Sequence, residues 1–125
     1  MLLNIMSEKQ KRVTRKHRDR LKNIQIPVHD GQYRALKKMV RIRKVSDPHF
    51  TITQLVAELL RSSFEREFIF DMPPATDYVA KQNHRAQTWL KQEEYDILID
   101  IAEEQLTSIK KVGYTLLRFE LGDVK

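Results

Sequence analysis

The stretch Asn23-Ile24-Gln25-Ile26-Pro27-Val28 decides how the rest of the chain is read. Ile24, Ile26 and Val28 alternate with Asn23, Gln25 and Pro27. A period of two over six residues predicts a strand with one face buried. Pro27 has no N–H to donate, so it belongs at the strand's end or on an edge.

Working toward the C-terminus, the period changes to that of a helix. Tyr33, Leu36, Met39 and Val40 fall at spacings of three and four, with Lys37, Lys38, Arg41 and Arg43 on the other face. Asp30 suits the N-cap, and the helix should stop near Val45, because Ser46-Asp47-Pro48 breaks it. Thr51-Ile52-Thr53-Gln54 then has the form of a capping box. It opens a second helix whose apolar stripe is Ile52, Leu55, Val56, Leu59, Leu60 and Phe64.

Residues 67–84 read as a linker, marked by Pro73-Pro74 and polar neighbours. Phe68, Ile69, Phe70 and Tyr78 imply that it lies on the protein. Beyond it the order returns. Arg85-Ala86-Gln87-Thr88-Trp89-Leu90 is a weak strand, Tyr95, Leu98, Ile101 and Ala102 form a helical stripe, and Ser108 caps a last helix carrying Ile109, Val112, Leu116, Leu117 and Leu121. An offset of 62 superposes Gln25 on Gln87, Tyr33 on Tyr95 and Leu36 on Leu98. An offset of 57 superposes Thr51 on Ser108, Ile52 on Ile109 and Leu60 on Leu117. The difference of five residues falls in the loop between the two helices, where length changes are tolerated.

One strand-helix-helix unit cannot cover its own apolar face, whereas two can if their strands pair and their helices pack beneath. The expected fold is therefore mainly α with a short two-stranded antiparallel ribbon. The arrangement resembles the ribbon-helix-helix family of Arc and the methionine repressor. The resemblance is carried by Asn23 to Val28, Tyr33 to Val40, Thr51 to Phe64 and their counterparts after residue 84. Two β-α-α motifs in one chain resemble the tandem accessory proteins of conjugative-plasmid DNA processing. The organisation implied is a flexible basic arm over 1–22, a first motif over 23–66, the linker over 67–84 and a second motif over 85–125, the two motifs forming an intramolecular pseudo-dimer.

The family resemblance implies a ribbon that enters the major groove of double-stranded DNA. The outward set on such a ribbon is Asn23, Gln25, Arg85 and Gln87. Asn and Gln can pair with adenine, and Arg with guanine. Trp89 points outward in this register; a shift of one residue would turn it inward and bury Gln87 instead. The resemblance also implies that the second helices clamp phosphates with their N-termini, through Thr51, Ile52, Thr53, Ser108, Ile109, Lys110 and Lys111. The physics is that of exposed N–H groups at the positive end of a helix dipole; ordinary capping alone also accounts for Thr51 and Ser108.

Charge agrees with a polyanionic partner. The chain carries 23 Lys/Arg against 17 Asp/Glu, a net +6. Residues 1–22 hold eight basic and two acidic residues, 23–66 hold eight and four, and 67–125 hold seven and eleven. The positive field lies in the first half. Arg12, Arg15, Lys16, Arg18, Arg20 and Lys22 of the arm are expected to follow phosphates or enter a minor groove.

No cysteine is present, so disulfides and thiolate chemistry are excluded. No apolar run is long enough to span a membrane, and a cytoplasmic protein without a membrane partner is expected. His17, His29, His49 and His84 do not fall at metal-ligand spacings, and no phosphate-binding glycine loop or nucleophile elbow occurs. The expectation is a non-enzyme without cofactor or metal. Three roles stay open: a transcriptional repressor, an accessory protein at a plasmid transfer origin, and a protein-interaction adaptor using the acidic helix around Glu93 to Glu104. On DNA, further copies could lie side by side.

Overall fold

The computed structural model describes residues 21–122. The elements in chain order are β1 (Lys22–Val28), α1 (Asp30–Arg43), α2 (Ile52–Phe64), a 3-10 turn (Ile69–Asp71), β2 (His84–Leu90), α3 (Gln92–Gln105) and α4 (Ile109–Leu121). The chain is thus mainly helical, with four helices and one two-stranded sheet among the described residues. The offsets read from the sequence reproduce the element bounds: 62 carries β1 onto β2 and α1 onto α3, and 57 carries α2 onto α4.

The strands pair antiparallel from Lys22↔Leu90 to Val28↔His84, with Gln25 opposite Gln87 at the midpoint. Ile24, Ile26 and Val28 of β1 and Ala86, Thr88 and Leu90 of β2 are buried, as the alternation requires. Below them lie Leu36, Leu55, Val56, Leu60, Leu98, Ile101, Leu116 and Leu117, each at most 4% exposed. Each fully buried side chain of this size contributes about 1.5–3 kcal/mol, so the ribbon and the four helices share one core.

The helices cross over. α2 packs across β2 and α4 across β1, and α2 and α4 pack on each other. The hydroxyl of buried Thr88 donates to the carbonyl of Thr53 (2.7 Å), which fixes the start of α2 beside β2. Gly113 lets α4 approach β1: a Cβ there would stand 2.9 Å from Cδ1 of Ile26 and 3.2 Å from Cδ1 of Ile24. α1 and α3 lie outside this pair, each tied by its third residue to the opposite second helix. Gln32 Nε2 donates to the Tyr114 hydroxyl (2.9 Å), and Arg61 Nε donates to Glu94 (2.6 Å).

Several expectations are corrected. The N-cap of α1 is His29, not Asp30, which is already helical and stands in the first turn. Gln32 Oε1 accepts from the His29 amide (2.8 Å), closing that helix end by the residue at its third position. α1 stops at Arg43, two residues short of Val45, and Met39 is 37% exposed because this end of α1 has little covering it. Lys22, assigned to the arm, is the first residue of β1, and His84, assigned to the linker, is the first of β2. Strand pairing extends over both because each finds a cross-strand partner. Arg12, Arg15, Lys16, Arg18 and Arg20 lie outside the described residues.

The connection over 65–83 does lie on the protein. Ile69 is buried, Phe68 meets Phe119 edge-on at 5.4 Å, Gln105 donates to the Met72 carbonyl (2.6 Å) and the Ala75 amide donates to Thr115 (2.9 Å). Arg118 pairs with Asp77 (2.9 Å) and Arg66 with Glu120 (2.7 Å). Burial tends to raise the Asp77 carboxyl, but the Arg118 guanidinium beside it and the Tyr114 hydroxyl outweigh this and hold it below the ordinary carboxylate value.

Candidate nucleic-acid interface

One face of the ribbon is turned away from the core. It carries Asn23, Gln25, Arg85, Gln87 and Trp89, while the residues between them on β2 are buried. Alternation produces this face, and the cross-strand register brings its central members together. Gln25 and Gln87 are directly opposed, Asn23 Nδ2 approaches Gln87 Oε1 (3.4 Å) and donates to the Thr88 carbonyl (3.1 Å), and Gln25 Nε2 donates to Asn23 Oδ1 (3.2 Å). Three amide side chains therefore form one exposed network that can exchange partners with a ligand edge. Arg85 stands apart at the other end, where Nη1 donates to the Gln82 carbonyl (3.0 Å). Pro27, opposite Arg85, is buried rather than outward.

Trp89 settles into the outward register: it faces Asn23 and is 49% exposed. An indole so placed adds a flat apolar surface and one N–H donor to the polar face. The residue was visible in the sequence as an outward Trp, but its membership of the candidate site follows only from the pairing with Asn23.

Two helix N-termini flank the ribbon. At α2, Thr51 Oγ1 accepts from the Gln54 amide (3.2 Å) and Gln54 Oε1 accepts from the Thr51 amide (2.8 Å). At α4, Ser108 Oγ accepts from the Lys111 amide (3.1 Å). The caps thus occupy the third amide of each helix. Ile52 and Thr53, and likewise Ile109 and Lys110, hold the first two amides, which have no carbonyl within their own helix. Lys111 therefore offers its side chain and not its amide.

The crossover puts each N-terminus beside the strand of the other half. A groove lined by Asn23, Gln25, Tyr95, Ser108, Ile109 and Lys110 joins the polar face to the start of α4. Thr88, bonded to Thr53, joins β2 to the start of α2. Hence the structure brings Asn23, Gln25, Ser108, Ile109 and Lys110 into one place.

The two flanks differ in charge. Lys37, Arg41 and Lys44 line a groove with Tyr33, Val40 and Ile52 at the start of α2. The residues 62 later are Ile99, Glu103 and Leu106. α1 holds five basic residues and one acidic, whereas α3 holds six acidic and no basic. In the sequence Lys37 and Arg41 look like part of a solvated helix face, and Lys44, the C-cap of α1, carries no signal of its own. Their proximity to Ile52 depends on how α1 packs.

Among the described residues no group of three or more His, Asp or Glu stands close enough to hold a metal ion, and no helix is long and apolar enough to cross a membrane. His29 and His84 are instead engaged in packing. His29 Nε2 donates to the Asp77 carbonyl (2.8 Å) while its Nδ1 accepts from Gln82 (2.9 Å), and His84 stacks on Tyr33 at 4.3 Å beside Asp30. No protein-family model, curated protein or solved structure matches this chain.

Proposed function

We propose that this chain is a sequence-specific double-stranded DNA-binding protein of the ribbon-helix-helix type. In this reading the two β-α-α units form a pseudo-dimer within one chain, and their shared ribbon enters the major groove. The observation that carries it is a two-stranded ribbon with Asn23, Gln25, Arg85 and Gln87 on one exposed face, flanked by the capped N-termini of α2 and α4. A major groove about 12 Å wide accepts such a ribbon, amide side chains suit adenine and a guanidinium suits guanine. The two helix N-termini would hold phosphates on either side, which sets the depth and register of the ribbon. The offsets of 62 and 57, which reproduce every strand and helix bound, support the pseudo-dimer.

The proposed biological role is transcriptional repression by occupying a promoter; service at a plasmid transfer origin needs the same contacts. Selection of bound sequences from a random duplex pool tests the molecular reading. A defined motif of a few base pairs, with affinity that falls steeply as salt rises, is expected. Recovery of unselected sequence, or no binding at low salt, would overturn it and favour an adaptor that uses the acidic α3.

A further inference from the structure

Three exposed positions of α1 and their counterparts 62 residues later in α3 carry opposite charges. Arg34 answers to Asp96, Lys38 to Asp100 and Arg41 to Glu103. The spacing of four and then three residues places each trio on one side of its helix. None of the six forms an ion pair among the described residues. Asp96 accepts only from Gln92 of its own helix (2.8 Å). α1 and α3 do not pack substantially on each other, so neither stripe is neutralised by the other within the chain.

We infer that the basic stripe of α1 in one copy docks on the acidic stripe of α3 in the next, so that copies add head to tail. Charge selects this contact. A symmetric pairing of two α1 stripes, or of two α3 stripes, would set like charges against each other. The contact between unlike stripes is heterologous, leaves one free stripe of each sign at the ends, and can continue indefinitely. In the antiparallel arrangement of α1 and α3 the two trios come into register. Lys38 then faces Asp100, while Arg34 faces Glu103 and Arg41 faces Asp96. Every facing pair is complementary.

Exposed ion pairs are individually weak, and free association must also overcome the loss of translational freedom. The contact therefore matters where copies are already held side by side and their effective concentration is high. A DNA template that holds them so rests on the proposed function, but the contact itself needs no DNA.

The chain lacks cysteine, so Lys38→Cys and Asp100→Cys chains can each carry a single thiol. Both positions are exposed, and neither substitution should disturb the fold. The two chains are mixed and gently oxidised without DNA at low salt. The mixed disulfide should exceed either like pair several-fold beyond its random share, and the bias should vanish at high salt. A random distribution unmoved by salt would overturn the contact, whatever the DNA-binding result. A biased distribution in a chain that binds no duplex would uphold it and overturn the proposed function alone. Reversing the rest of one stripe (Arg34→Glu and Arg41→Glu) in both thiol chains should remove the bias. Reversing the rest of the other stripe as well (Asp96→Lys and Glu103→Lys) should restore it; failure of restoration in a folded protein would equally overturn the contact.

Discussion

Gln32 Nε2 donates to the hydroxyl of Tyr114 at 2.9 Å, a buried bond between the first turn of α1 and the middle of α4. The same amide group holds the N-cap through its oxygen, so one side chain closes a helix and ties the two halves together. Tyr114→Phe should keep the packing and leave a buried amide donor without its partner. The expected loss is about 1–3 kcal/mol, lowering Tm by about 4–8 °C for each kcal/mol in a domain of this size. Thermal unfolding followed by circular dichroism checks it. An unchanged Tm would mean that the bond contributes nothing net.

Glu94 stands at the corresponding position of α3 and uses a charge instead. Burial pushes its carboxyl up, but the bond from Arg61, the Lys91 amide and the Arg61 charge outweigh burial and leave it below its ordinary value of 4.5. A carboxyl depressed by folding contributes stability above its unfolded pKa and loses it as pH falls through the folded pKa. Glu94→Gln should therefore be less stable than the parent at pH 7, by about 1 kcal/mol at most for a pair this accessible to water. The gap should close as pH drops below 4.5. Urea midpoints at pH 7 and at acid pH decide it, and a gap independent of pH would remove the charge from the account.

Leu106 caps α3 in the left-handed region, with φ 55° and ψ 47°, and its side chain is 93% exposed. A β-carbon in this conformation crowds the backbone by about 1–2 kcal/mol, and this side chain recovers almost nothing through burial. Leu106→Gly should stabilise the protein by about 1 kcal/mol, less the greater freedom glycine gives the unfolded chain. A rise in the denaturant midpoint with unchanged slope is the expected result. A fall would show that Leu106 is held by contacts beyond its own backbone.

On the ribbon, Gln87→Ala and Trp89→Ala should leave the fold intact, since both side chains face away from the core. Gln87→Ala should reduce discrimination at one base position by about 1–3 kcal/mol. Trp89→Ala should weaken binding to matched and mismatched duplexes alike, because an indole face carries little base identity. Competition binding with single-base variants separates the two patterns. Wild-type discrimination by the Gln87 variant would exclude it as a reader.

Much of this architecture is local and therefore legible in the sequence. Ile24 and Ile26 alternate with Asn23 and Gln25, and Thr51 and Ser108 carry their cap chemistry in their own side chains. The offsets 62 and 57 transfer bounds between the halves without any knowledge of contacts. What was hidden depends on residues far apart in the chain. Thr88 is polar in the sequence but buried in the structure, because its hydroxyl finds the Thr53 carbonyl 35 positions away. Lys22 and His84 look like parts of a tail and a linker until each gains its place opposite the other strand. The union of Asn23 and Gln25 with Ser108 and Lys110 requires the crossover of α4 onto β1, which no local pattern encodes.

That crossover also governs what a single cut would do. β1 is roofed by a helix from the C-terminal half and β2 by one from the N-terminal half, so neither half owns a closed interior. Proteolysis within residues 79–83 would leave two fragments that stay interlocked. Once separated, each would bare the surface that only the other covers. The intact connection supplies the local concentration that keeps them engaged, and its lengthening would weaken this only logarithmically. The halves are thus suited to split-protein complementation: neither fragment should close a core alone, and their meeting should complete the fold.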